Sequence, residues 1–525
     1  MKHLRSLYTL LFGVAVLLFF GLAYPHHLHY QEQYQLFLFD STYVWEIVKL
    51  PGGIADLLGR FCTQFFLYAW VGAAIIAVLL SVVQLLIVHS YPPKGREKGS
   101  APPPLGKIEG GLYGLSFVPS FLLWLFLLDE NALLGGVWAV LLTLFAAWMF
   151  DRLPRGWVRH MLLIAAVPVL YWMVGPVCVV FFLLQCVRAD GGNGLNGSIA
   201  WSCGGIVLFG GMLFLLQNFI PVPADNLWFG VHYHRYPTEI PVLLWVAALS
   251  IIIFAIFVRV GHKLTDASKR KASAPSLVFQ FIAFALVTVG MGSLVWKNSN
   301  FKAEKVMQYD FMARFQQWNR ILDAINTEKP NNQIGVTVQN LALGMHGMLA
   351  DHLFNYNQNG LLGLLPDVGT DAISPMPTAE AFYQLGMITV AQRTVFEAQE
   401  AILDFQKSAR CYKRLAQTNL ILGSYEVARK YLTALQKTLF YRDWANETLL
   451  LLDDEAAIAQ HPEYGRLRQM AYDEDFYFGD HVTAEMLESL YYSNTDNRLA
   501  CEYLKAYYLL TGDIERYSHF ISVRN

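Results

Sequence analysis

From Leu7 to Trp296 long apolar runs alternate with short polar or basic stretches, and beyond Lys297 the runs shorten and polar residues return at helical spacing. A run of about 20 apolar residues is long enough to cross the hydrocarbon core of a bilayer as a helix. The pattern predicts nine spans, at 7–24, 65–90, 112–128, 132–150, 157–174, 175–188, 199–217, 239–259 and 277–296. The fifth and sixth are joined only by Gly175 and Pro176, a pair that ends helices. The N-terminal run carries Lys2 and Arg5 but no small-x-small cleavage site before Pro25, so it reads as an uncleaved first helix. The fold class expected is all-α: a polytopic transmembrane bundle over 1–296, a helical connector over 297–377 and helical repeats over 378–525.

Charge sets the orientation. Only 15% of the 525 residues are charged, and 55% are hydrophobic. Lys and Arg collect on the cytoplasmic side of membrane proteins. The segments 91–110, 151–159 and 261–276 are the basic ones, and a cytoplasmic N-terminus places all three inside if 157–188 crosses twice. The tail then lies outside, in the periplasm of a two-membrane host, and the chain is expected in the bacterial inner membrane. A net charge of −2 implies no nucleic acid partner.

Two outside loops follow from this layout, 25–64 and 218–238. The first opens "YPHHLHYQEQYQLFLFD" and continues as two amphipathic helices split by Pro51, Gly52 and Gly53; the second carries His232, His234 and Arg235. Short helices of this kind suit the membrane interface, with aromatic rings at headgroup depth. On a helix, His26 and His29 share a face that Glu32 continues. That face is either a polar cap on the first span or, with a ligand from the second loop, part of a zinc site. The cap is the simpler reading, and no metal is assigned.

The tail repeats a pattern of large residue, leucine, small residue, turn and small residue. It occurs from Phe382 to Phe405, from Tyr412 to Leu435 and from Cys501 to Ile514. This resembles the tetratricopeptide (TPR) helix pair, in which helical hairpins stack and leave a groove. Ahead of it, Asn340–Leu343 followed by Asp351, Phe354, Tyr356, Gln358 and Gly360 resembles an uncharacterised family of bacterial multi-pass membrane proteins with such a tail. The resemblance implies an envelope protein and supplies no activity.

No phosphate loop, HExxH, GxSxG or CxxC pair is present. The six cysteines are scattered and read as buried thiols. The function expected is presentation of the repeat unit to an envelope protein partner by a lipid-embedded anchor. The alternative comes from layout. The chain is similar to glycosyltransferases of the GT-C type and to transmembrane-and-TPR O-mannosyltransferases, whose first outside loop carries a catalytic acid. That resemblance implies a lipid-linked sugar as substrate. Glu32 and Asp40 are the candidate acids, and His232, His234 and Arg235 the candidate phosphate binders. No cofactor is named by either reading.

Overall fold

The computed structural model describes residues 2–89, 113–153, 157–188, 195–267, 277–367, 374–403, 406–472 and 483–524. The basic segment 91–110, residues 268–276 of the basic segment 261–276, and Phe405 lie outside the described residues. Among those described the chain is helical, with two isolated bridges and no strand. It divides into two units, one of residues 1–32 and 40–300, the other of residues 33–39 and 301–525.

In the first unit the apolar helices bury one face and leave the other bare. Tyr8, Phe12, Val16 and Phe19 are buried at helical spacing, while Leu7, Leu10, Leu11, Val14 and Leu18 on the same helix are exposed. Helix Val242–Ala267 repeats this, burying Leu244, Ala248, Ile251 and Ala255 and exposing Val242, Val246, Leu249, Ile253 and Phe257. Helices apolar on their exposed face are compatible with a lipid surround. Gln84 is a polar side chain that enters the bundle and is satisfied there. Gln84 donates to Ser116 at 2.8 Å and accepts from Ser120 at 2.9 Å, so its amide is structural.

Among the described residues five helical stretches, not nine, are long and apolar enough to cross a bilayer: Ser6–Ala23, Ala69–His89, Trp157–Arg188, Val242–Val260 and Gln280–Asn298. Tyr113–Phe126 and Gly135–Phe150 fall short. At 1.5 Å per residue the longer of these two reaches only about 24 Å, against about 30 Å of hydrocarbon. Apolar runs in the sequence include turn residues that the helices do not use. The 32 residues of Trp157–Arg188 count once by length, yet they fold back on themselves. Gly175 takes a left-handed φ of 64°, and Arg159 near one end donates to Gln185 near the other at 3.2 Å. Asp151 stands between Arg159, at 3.7 Å, and Arg188, at 2.5 Å.

The second unit is built from helical hairpins. Four helices end in the same way. At Gly347, Gly386, Gly423 and Gly512 the backbone is left-handed, with φ between 68° and 93°. Each time the next residue's N–H returns to a carbonyl five residues back: Met348 to Leu343, Met387 to Phe382, Ser424 to Asn419 and Asp513 to Tyr508, at 2.8 to 2.9 Å. This is the glycine-capped helix end in which one residue reverses the chain. Each following helix starts two residues after its glycine, at Leu349, Ile388, Tyr425 and Ile514. Ala428, Leu432 and Leu435 are fully buried in the shared core. The Asn340 amide is also buried; it donates to Gln358 and to the Gly363 carbonyl, both at 2.9 Å, and so ties the Asn340–Gly363 segment together.

Residues Gln33–Phe39 belong to this second unit. The Leu36 N–H bonds to the Lys407 carbonyl at 3.0 Å, and that of Phe39 to Lys437 at 2.7 Å. Leu36 enters the core. Arg410 donates to Gln33 at 2.9 Å and grips Asp310 with both terminal nitrogens, at 2.6 and 2.8 Å.

Candidate functional site

Two segments of the first unit meet on the turn Leu127–Leu133, "LLDENAL". The helix Pro25–Glu32 reaches it through His27, whose Nε2 lies 2.9 Å from the Leu127 carbonyl, and through Gln31, which donates to the Ala132 carbonyl at 3.1 Å. The segment Tyr233–Arg235 pairs with it as a short ladder. Leu133 N–H donates to Tyr233 at 3.0 Å, and Arg235 N–H to Asn131 at 2.8 Å. Backbone pairing of this kind fixes the register of both loops, because each buried N–H needs an acceptor.

The ladder puts His234 beside Asp129, with Nε2 at 3.2 Å from Oδ2. The Tyr236 N–H points at His234 Nδ1 from 3.1 Å, so in the neutral ring Nδ1 accepts and Nε2 carries the proton that faces the carboxylate; in the charged ring Nδ1 can donate to the Tyr236 carbonyl, 3.4 Å away. Glu239 stands 3.6 Å from the same nitrogen. Burial alone would lower the His234 pKa; the hydrogen bond to Asp129 and the two acidic charges outweigh it and raise the value. Burial likewise pushes Asp129 up, and His234 with the Asn131 N–H overcomes it, leaving Asp129 below the usual carboxylate range. Glu130 moves the other way, raised by burial and by its neighbour Asp129. The turn thus holds two adjacent acids with opposite tendencies, the kind of separation that general acid–base sites use.

Arg235 is buried, and donates to the Tyr30 hydroxyl at 3.0 Å and to the Tyr236 hydroxyl at 3.1 Å. Tyr30 and Arg235 come from the two loops, 25–64 and 218–238, so the loops meet. Glu32 is buried at the end of its helix. Asp40 is half-buried, precedes the helix Ser41–Val48 and accepts the Val44 N–H through its carbonyl. The carboxylate hydrogen-bonded to His234 belongs to neither of them but to Asp129.

His232 points elsewhere. It lies against Gly52, whose left-handed φ of 77° is required by the turn. A Cβ at Gly52 would come 2.6 Å from His232 Nε2 and 2.8 Å from the Tyr233 hydroxyl. That Nε2 is buried without a hydrogen-bond partner among the described residues. Nearby, Arg60 holds Asp56 through Nε at 3.0 Å to both oxygens. Burial, and secondarily the Arg60 charge, push the His232 pKa down to about 4, against the pull of Asp56. The three loop residues read together from sequence therefore fall into two neighbourhoods, His234 with Arg235 and His232 with Asp56 and Arg60.

Sequence reasoning passed over Asp129, Glu130, Asp56 and Arg60. Asp129 and Glu130 were legible as the only adjacent acids between two apolar runs in the first 300 residues. Asp56 and Arg60 were legible as an i, i+4 pair. Among the described residues no group of three or more His, Cys, Asp or Glu is placed to hold a metal ion.

The architecture is that of a helical chain with a bare-faced apolar bundle and an appended unit of helical hairpins. It belongs to the family of unknown function DUF6057, whose model matches residues 2–524. Comparison with curated proteins and with solved structures finds no match to either.

Proposed function

We propose that this chain is a multi-pass protein of the bacterial inner membrane that presents its C-terminal helical unit outside the cytoplasm to an envelope protein partner. The observation that carries this reading is the recurrence of one turn, glycine-capped and restarting two residues later, at Gly347, Gly386, Gly423 and Gly512. Hairpins repeated in this way resemble a TPR array, which buries one face against its neighbours and leaves an extended surface for a partner. The orientation is supported by charge. Arg159 and Arg188 flank Asp151, and Arg259 donates to the Cys186 and Val187 carbonyls nearby, so this end suits the cytoplasmic face. A membrane-impermeant thiol reagent on intact cells should label Asp225→Cys in a cysteine-free background and miss Arg152→Cys. The reverse pattern would overturn the orientation.

A second reading is favoured by the Asp129–His234 contact. A half-exposed carboxylate set by a histidine, with Glu130 beside it, suits transfer from a lipid-phosphate-linked sugar at the outer face. Under this reading Asp129 and Glu130 join Glu32 and Asp40 as candidate proton acceptors. Arg235, with His232 or His234, is the candidate for the phosphate. Genetic complementation separates the two readings. Asp129→Asn and His234→Gln, at normal protein level, should restore the function of a deletion strain if the chain acts by presentation, and should fail to do so if it acts by transfer.

A further inference from the structure

In the second unit three cations lie close together, and one of them, Lys413, has no acid of its own among the described residues. Consecutive residues Lys413 and Arg414 lie on the helix Ala409–Ile421 and Arg314 ends the helix Phe301–Arg314. Arg314 donates to the Tyr441 hydroxyl at 2.5 Å. One turn on, the Lys413 ammonium lies 4.8 Å from the centre of the Trp444 ring. Tyr441 and Trp444 stand at the start of one helix, Arg442–Leu449, so Arg314 and Lys413 converge on the same short stretch from two other helices.

The neighbouring acids are already engaged. Glu380 takes the Arg414 guanidinium at 2.5 Å, Glu463 accepts the Tyr383 hydroxyl at 3.0 Å, and Asp310 is gripped by Arg410. Lys413 has no ion-pair or hydrogen-bond partner among the described residues. Arg414 keeps its Nη1 buried and without a hydrogen-bond partner among the described residues, although Glu380 and the Tyr383 ring, 3.7 Å away, hold the rest of the group. Burial, then the charges of Arg414 and Arg314, bring the Lys413 pKa down to about 8. A half-buried lysine pressed against two arginines with no acid of its own is unfavourable unless something negative is bound. A buried orphan N–H beside it asks for the same thing.

We propose that Arg314, Lys413 and the free Nη1 of Arg414, with the Tyr441 hydroxyl, form a binding site for a phosphate-type oxyanion seated against Trp444. Donors arriving from several directions suit a tetrahedral dianion, which offers more acceptor positions than a planar carboxylate. Arginine and lysine are the usual partners of such groups. The phosphate source is either free inorganic phosphate or a phosphate ester on a larger molecule.

The test uses the full chain purified in detergent at low ionic strength, with radiolabelled inorganic phosphate as the probe in equilibrium dialysis. Saturable binding is expected, displaced by sulfate and not by acetate at equal concentration. Lys413→Met and Arg314→Gln should each weaken it at least tenfold, while Lys430→Met, at an exposed lysine of the next helix, should leave it unchanged. Without phosphate, Lys413→Met should melt no lower than the parent, because it removes a repelled charge; this separates a lost site from a lost fold. Glycerol 3-phosphate binding tighter than inorganic phosphate would identify an ester as the ligand, and weaker binding would identify the free ion. Absence of saturable phosphate binding, competition by acetate as strong as by sulfate, or Lys413→Met binding as well as the parent would overturn the site.

Discussion

His234 Nε2 lies 3.2 Å from the Oδ2 of Asp129, a residue 105 positions earlier in the chain. The contact joins two turns, and it titrates from both sides. His234 has its pKa raised above the usual 6.5, so its contribution is complete below 6.5 and is lost as pH rises through the raised value. Asp129 is lowered from 3.8, so its contribution is complete above 3.8 and is lost as pH falls through the lowered value. The pair therefore stabilises most between about pH 4 and 6.5. Asp129 has 42% of its side chain exposed, and solvent screening holds the coupling to about 0.5–1 kcal/mol. A double-mutant cycle of Asp129→Asn and His234→Gln should give that coupling at pH 5.5 and much less at pH 9. Equal coupling at both values would show that charge does not hold the pair.

Two other histidines act in the opposite sense. Burial pushes His27 and His232 down to about 4. As pH falls below 6.5 the unfolded chain takes up protons that the folded chain refuses, so stability is lost from 6.5 down to about 4. The slope reaches at most about 1.4 kcal/mol per pH unit for each group. His232→Gln should flatten the acid limb of the melting-temperature profile between pH 6.5 and 4, leaving the neutral limb in place. An unchanged acid limb would mean that His232 reaches solvent readily in the folded chain.

The helical class was legible throughout, because apolar runs and helical spacing need only local information. The crossing count was less so: the spans read at 112–128 and 132–150 leave only Asp129–Asn131 as a break, whereas the fold uses Leu127–Leu134 as turn. Shared sidedness put the loops 25–64 and 218–238 on one surface, but whether they meet, as Tyr30 and Arg235 do, was left open by the sequence. Which acid would face His234 was not legible either, because pairing of Leu133 with Tyr233 is a long-range choice that no period encodes. The segment Gln33–Phe39 was least legible. An extended stretch of seven residues between two helices carries no sign of the unit whose backbone will pair with it.

A close glycine contact lies just beyond the Leu127–Leu133 turn. Gly59 in the helix Gly53–Thr63 faces Gly135 at the start of Gly135–Phe150, and a Cβ at Gly59 would come 2.4 Å from the Gly135 nitrogen. The atom met is backbone, so no side chain can swing aside, and small residues at such crossings are what let helices approach. Gly59→Ala should cost at least the 1–3 kcal/mol typical of overpacking, about 2 kcal/mol as a first expectation. Gly204→Ala, whose Cβ would meet nothing within 4 Å, should be neutral or stabilising by about 0.5 kcal/mol. Thermal melts of the two variants in detergent compare them directly, and equal melting temperatures would show that the Gly59 crossing opens easily.

Arg410 is the residue on which the second unit's inserted segment depends. It is buried, it binds Asp310 as a two-pronged fork at 2.6 and 2.8 Å, and its Nη1 also holds Gln33 at 2.9 Å. Removing one member of a buried pair leaves the other as an uncompensated charge, at about 3–5 kcal/mol. Arg410→Met should therefore destabilise the unit strongly, while adding Asp310→Asn should restore part of the loss, because no buried carboxylate then lacks a partner. Gln33→Ala removes only the neutral acceptor and should cost about 1 kcal/mol. Leu36→Asp acts through the core instead of through charge, since it places a carboxylate among apolar side chains and should cost more than Gln33→Ala. Protease resistance of residues 301–525 in the full chain reads all four substitutions. If the single Arg410→Met variant resists cleavage as well as the parent, Gln33–Phe39 is not anchored through Arg410, and its backbone bonds to Lys407 and Lys437 alone hold it in place.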